Sequence, residues 1–263
     1  MGYLLDNDRL PAGDRVVAMA SLFDPITTGH LDGLGIGPGW RCWEVGAGGT
    51  SIVHWLAGRT GRAGYVLATD TDTTVVAAAA GPTVIVLRHD VCADPIPGGG
   101  FDLVHARMVL ADIADVADRA QALAAMVRAL RPGGWLVVED LDPRLQPLAC
   151  PDERGPAEVL ANKVRAGVHS LLASRGIELA CGRTIPGALR DLGLADVTAS
   201  GYFPMTGPEC AALERTTVTA LYGDLLNAGL ATPDELDAHL GQLDALHLSA
   251  APMISAWGRK PAA

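Results

Sequence analysis

One stretch, Arg41-Cys42-Trp43-Glu44-Val45-Gly46-Ala47-Gly48-Gly49-Thr50-Ser51, constrains the fold of this chain more than any other. It reads as a short apolar strand, a glycine-rich turn, and a helix opening at Ser51-Ile52-Val53-His54-Trp55-Leu56. Glycines let the backbone bend sharply and bring its N–H groups against a ligand with no Cβ in the way. A helix start adds a positive dipole end suited to an anionic group. The unit belongs to open α/β sheets, which bind ligands at strand ends.

Dinucleotides and S-adenosylmethionine both use such turns. A dinucleotide fingerprint, G-x-G-x-x-G, would follow Gly46 and Gly48 with a third glycine where Ser51 stands. This chain instead carries Glu44 two residues before Gly46. A carboxylate there repels a pyrophosphate but can pair with the ammonium of a bound amino acid. That favours a ligand with a methionine tail. The residues resemble motif I of the class I S-adenosylmethionine-dependent methyltransferases, E/D-x-G-x-G-x-G, with Thr50 in place of the last glycine. The Thr50 hydroxyl is expected to cap the following helix.

Further strand ends follow in order. Tyr65 to Asp70 reads as a second strand, and an acid at that place hydrogen-bonds ribose hydroxyls. Asp72 is the alternative acid, or the cap of a helix over Thr73–Ala80. The third strand, Thr83 to His89, leads into Asp90-Val91, which resembles the family's third ligand motif; His89 is expected to point away on the strand alternation. The fourth, Phe101-Asp102-Leu103-Val104, exits through Ala106-Arg107, with Asp102 as a strand-start residue. The resemblance implies a cofactor set of Glu44, Gly46, Ala47, Gly48, Thr50, Asp70, Thr71, Asp90, Val91, Ala106 and Arg107. In it Asp90 accepts from the adenine amine and the Val91 N–H meets the ring. The backbone near Ala106 accepts the ammonium, and Arg107 sits beside the carboxylate.

Val116, Ala120, Leu123, Val127 and Leu130 recur at helical spacing, a core-facing stripe. Arg131-Pro132-Gly133-Gly134 is expected to end that helix before a fifth strand, Trp135–Glu139. Asp140 and Asp142 follow, at the rim where such sheets place ligands. They suit a substrate amine or hydroxyl; a divalent metal would want a third oxygen ligand, which the sequence does not identify, so none is expected. Beyond Pro151 come a helix ending at Gly176, a short helix capped by Thr184, and a sixth strand over Ala195–Phe203. A helix from Pro208 towards Gly229, a capping box at Thr232-Pro233-Asp234-Glu235, and a last strand near Ala250–Arg259 complete the chain.

The expected fold is α/β: a Rossmann-like, seven-stranded, mostly parallel sheet flanked by helices, with N-terminal and C-terminal helical lid insertions. Residues 1–39 form a helical cap in this reading. In it Asp14 caps a helix through Phe23, Asp24-Pro25 breaks it, and a second helix covers Thr28 to Leu34. Residues 40–263 form the methyltransferase domain, with insertions at about 151–183 and 207–248. These insertions serve as a lid or as a dimerisation surface, so a homodimer is the partner to consider.

The formal charge of −10 and the pI near 5.0 argue against nucleic acid, which needs clustered Lys and Arg. Lysine occurs only at Lys163 and Lys260. Five cysteines without a C-x-x-C pair read as reduced thiols of a cytoplasmic protein. Asp6 and Asp8 stand where a signal peptide would be basic, and Gly81-Pro82 breaks the most apolar stretch, so no membrane span is expected.

The reading of function is methyl transfer from S-adenosylmethionine, leaving S-adenosylhomocysteine, to O, N or C of a small, largely apolar metabolite of secondary metabolism. Two alternatives share the scaffold: a non-methylating cyclase or isomerase that keeps the donor as a prop, and a ligand-binding regulatory protein. Candidate bases are His30, His105, Asp140, Tyr3 and Tyr202, with His30 and Asp140 the catalytic candidates and none assigned; His30 stands in the cap, and histidine as a residue type titrates near neutrality. Tyr3, His30, Asp140 and Asp142 are the substrate-side candidates.

Overall fold

The computed structural model describes residues 12–262, so Tyr3, Asp6 and Asp8 lie outside the described residues. In chain order the elements are α1 (Ala12–Gly33), β1 (Arg41–Val45), α2 (Ser51–Thr60), β2 (Tyr65–Asp70), β3 (Val84–Arg88), β4 (Phe101–Arg107) and α3 (Val116–Ala129). There follow β5 (Leu130–Leu141), α4 (Pro156–Ser174), α5 (Cys181–Asp191), β6 (Ala195–Tyr202), α6 (Pro208–Asn227), α7 (Pro233–Gln242) and β7 (Met253–Arg259).

The strands form one seven-stranded sheet in the order β3-β2-β1-β4-β5-β7-β6. β1 lies parallel between β2 and β4, and the β2–β3 and β4–β5 pairs are parallel too. β7 runs the other way: Gly133 and Lys260 are bonded at one end, and Glu139 faces Ser255 further along. The expected Rossmann-like, mostly parallel sheet is therefore present.

The chain divides into two compact units. The sheet unit comprises residues 24–140, 181–201 and 254–262. Strand alternation sends Trp43, Val45, Val104, Ala106, Leu136 and Val138 to one face, where α3 and α5 add Leu123, Met126, Ile185 and Leu189. Cys42, Val66, Ala68, Leu103 and Val137 pack on the other, against Ile52, Val53 and Leu56 of α2 and Leu31 of α1.

The helical unit comprises residues 12–23, 141–180 and 202–253. Its core is Val164, Val168, Val218, Leu221, Leu225 and Leu236 from α4, α6 and α7. Inside it, Arg165 Nη2 donates to Glu214 Oε2 at 2.6 Å, and His239 Nε2 lies 3.2 Å from Glu214 Oε1. Burial pushes the Glu214 carboxyl up, but Arg165 and His239 outweigh it and bring the pKa to about 2.

Several local expectations are corrected. α1 continues through Pro25, so the break at Asp24-Pro25 and the separate helix from Thr28 do not occur, and Asp14 falls inside the helix. Proline removes one backbone donor, and Thr28 Oγ1 bonds back to Asp24 O at 2.7 Å across the defect. The Thr73–Ala80 helix is only a 3-10 turn over Val76–Ala79, too short to repay helix nucleation. Thr50 precedes α2 without a side-chain cap bond. Thr184 lies within α5, its hydroxyl on Cys181 O at 2.7 Å.

Residues 131–134 do not separate α3 from β5. They form a bulge inside β5, between the pairs Phe101↔Leu130 and Leu103↔Trp135. A Cβ on Gly134 would lie 2.7 Å from Phe101 O, which explains the glycine. The Thr232–Glu235 capping box is present. All five cysteines are free. Among the described residues no helix is long and apolar enough to cross a membrane.

Candidate active site

The glycine turn lies at the carboxyl end of β1, the middle of the parallel strands. Gly46 adopts φ +67°, and a Cβ there would lie 2.4 Å from Val109 Cγ2. Ala47 N bonds Thr69 O at 2.9 Å, tying the turn to β2. A Cβ on Gly48 would meet nothing within 4 Å, so the backbone is open to a ligand there.

Asp70 ends β2, buried, and its Oδ1 accepts the Asp72 N–H at 2.9 Å. Asp72 is exposed and accepts from Thr74 N and Thr74 Oγ1, so it closes its own turn. Thr71 O accepts from Arg88 Nε at 3.0 Å. Asp90, just past β3, accepts the Cys92 N–H at 2.9 Å, with Val91 between them half-buried. His89 is buried, edge-on to Trp43, with Nε2 3.1 Å from Pro95 O.

Ala106 is in register with Val45 and Val138. Arg107 reaches α1, 2.8 Å from Asp24 and 3.0 Å from Thr27 Oγ1. Met108 follows at φ +57°, an uncommon conformation for a residue with a side chain, so the β4 exit is a held backbone turn.

The charged centre of the unit is the pair Glu44 and Glu139 bridged by His105. His105 Nδ1 donates to Glu44 Oε2 at 2.6 Å, and its Nε2 lies 3.4 Å from Glu139 Oε2. Burial alone would lower the His105 pKa, but Glu44 and Glu139 outweigh it and raise it to about 9. Glu139 is pushed up by burial and pulled further down by hydrogen bonds from His105, His30 and Ser255, to well below the usual carboxylate range.

His30 also meets Glu139. Its Nδ1 lies 3.4 Å from Oε1, its Nε2 2.9 Å from Ser200 Oγ, and its ring leans on Trp257. Thr27 and Ser255 add hydroxyl donors to the same carboxylate. Two of the candidate bases thus converge on Glu139, which the sequence reading treated as a strand end. Strand alternation could have found it: Glu139 shares parity with Val137, hence its buried face.

Asp140 points elsewhere: its buried Oδ2 accepts the Ala111 N–H at 3.0 Å and so pins the loop after β4. Asp142 is buried in the helical unit. Tyr202 packs edge-on to Phe23 in that unit. Among the described residues no group of three or more His, Cys, Asp or Glu is arranged to hold a metal ion.

Residues 43–138 match the family model described as methyltransferase domain. No curated protein matches the chain in sequence. Among solved structures, it resembles phosphoethanolamine N-methyltransferase 2 of Haemonchus contortus, in complex with S-adenosyl-L-methionine. The TM-score is 0.58 at 16% identity, over 99% of this chain and 60% of that one. The chain thus spans about three fifths of that protein's length. The YcgJ protein of Bacillus subtilis is similar at a TM-score of 0.56 and 14% identity, over 95% of this chain and 99% of that one. At such identities the likeness concerns the fold, and the family model concerns the segment from β1 to β5. The chain is thus similar to a methyltransferase domain over residues 43–138 and shares the fold of these structures.

Proposed function

We propose that the protein transfers the S-adenosylmethionine methyl group to O, N or C of a small, largely apolar metabolite in cytoplasmic secondary metabolism. The observation that carries the donor site is the succession of Glu44, Asp70 and Asp90 at or beside the carboxyl ends of β1, β2 and β3, around the open backbone at Gly48. Glu44 and the Ala106 backbone would take the ammonium, Asp70 and Thr71 the ribose hydroxyls, and Asp90 with Val91 the adenine. Arg107 would take the carboxylate, with Gly46, Ala47, Gly48 and Thr50 around the methionine arm. The surplus of negative charge supports a small acceptor over nucleic acid.

The step is an in-line displacement. The acceptor lone pair forms the new bond to carbon, the C–S electrons stay on the departing thioether, and the acceptor proton passes to a base or to solvent. Positioning can supply about 7–11 kcal/mol of such a barrier. A general base adds roughly 10²–10⁴-fold when the nucleophile arrives protonated. His30 is our candidate for that base. Tyr3, Asp140 and Asp142 remain substrate-side candidates, and the helices of residues 151–183 and 207–248 a lid, with a homodimer as a further proposal.

Equilibrium dialysis with S-adenosylmethionine and S-adenosylhomocysteine tests the donor assignment. Retention of either supports it, and absence of both rejects it. A product heavier by one methyl group identifies transfer over a non-methylating reaction.

A further inference from the structure

Three ionisable side chains cross one face of the sheet in a row. Glu44 and His105 are register partners on β1 and β4, and Glu139 lies on β5 two residues beyond Val137, the partner of His105. Their exposures are 4%, 0% and 0%. His105 holds one oxygen of each carboxylate. The methyltransferase reading of Glu44 leaves the other two residues without a task.

Resting on that donor-site reading, we propose that His105 and Glu139 are positioning residues that set the charge around Glu44 for the ammonium of the donor. Imidazolium and ammonium compete for one carboxylate. Were Glu44 and His105 alone, their charges would cancel, and the ligand's ammonium would enter a neutral buried pair. A buried charge without compensation is costly. Glu139 adds the second negative charge, so the row carries one net negative charge and the ammonium neutralises it. Beside the row, Arg107, reached through Thr27, is paired with Asp24, so that pair adds no net charge. His30 Nδ1, 3.4 Å from Oε1, completes the hydrogen bonding of Glu139. His105 also fixes the rotamer of Glu44 by holding Oε2, which leaves Oε1 as the oxygen that meets the ammonium.

The experiment compares two probes by calorimetry at one pH near neutrality. S-adenosylhomocysteine carries the amino-acid arm; 5′-methylthioadenosine is the same nucleoside thioether without it. Glu139→Gln leaves the row neutral and should weaken S-adenosylhomocysteine about tenfold, the scale of one charge-assisted contact, with 5′-methylthioadenosine unchanged. His105→Gln leaves two carboxylates and should shift the preference the opposite way, towards the arm-bearing ligand. The double variant, with Glu44 alone charged, should return S-adenosylhomocysteine to within about threefold of the parent. A structural role would move both ligands together, and both single variants in the same direction; either result overturns the proposal. Each single variant decides by itself if the other does not fold. A parent protein that binds neither nucleoside rejects the donor-site reading and the proposal with it. A parent that binds both, beside variants with unaltered preference, rejects the proposal alone.

Discussion

Arg107 Nη2 lies 2.8 Å from Asp24 Oδ1, so the residue proposed to meet the donor carboxylate is already held by helix α1. Donor binding and this ion pair draw on the same guanidinium. Replacing Asp24 by Asn should free Arg107 and tighten S-adenosylhomocysteine about threefold, the worth of one partly exposed ion pair. Calorimetry showing unchanged or weaker binding would remove Arg107 from the donor site.

Glu44→Ala and Asp70→Ala should each weaken donor affinity by about 1–3 kcal/mol, the usual loss for a hydrogen bond to a charged group. Dialysis or calorimetry on both variants is the check, and a variant binding like the parent loses its assigned role.

Stability should carry a pH signature of the buried row. The folded pKa of His105 is raised from 6.5 to about 9. Its contribution is therefore complete below 6.5 and is lost as pH rises through about 9. Glu139 is shifted the other way, so its contribution is present above 4.5 and fades as pH falls below that value. Urea titrations of the parent and of His105→Gln should converge between pH 6.5 and about 9. Parallel curves across that window would show that His105 is not charged in the folded protein.

In the helical unit, Glu214→Gln should cost about 3–5 kcal/mol, because it leaves Arg165 charged and buried without its partner. A denaturation midpoint within error of the parent would contradict the ion pair.

Gly46→Ala should lower both thermal stability and donor affinity. The φ of +67° costs a side chain about 1–2 kcal/mol, and the new methyl would displace Val109. Differential scanning fluorimetry with and without S-adenosylhomocysteine separates the two effects; an unchanged melting temperature would place Gly46 in a different backbone conformation.

What could be read directly from the chain is what depends on neighbours in sequence. Apolar alternation and glycine punctuation marked the strands, because side-chain parity and backbone freedom are local properties. The Glu44-x-Gly46-x-Gly48 turn, Asp70 and the Thr232 capping box are legible for the same reason. Where local signals competed with packing, packing decided: α1 runs through Pro25, and the glycines at 133–134 make a bulge within a strand. Only the tertiary structure brought Glu44, His105, Glu139 and His30 together, since four elements far apart in sequence each supply one member. Burial and their partners then shift His105 up and Glu139 down. A carboxylate and an imidazole removed from water must compensate one another, and no spacing along the chain encodes which partners will be in reach.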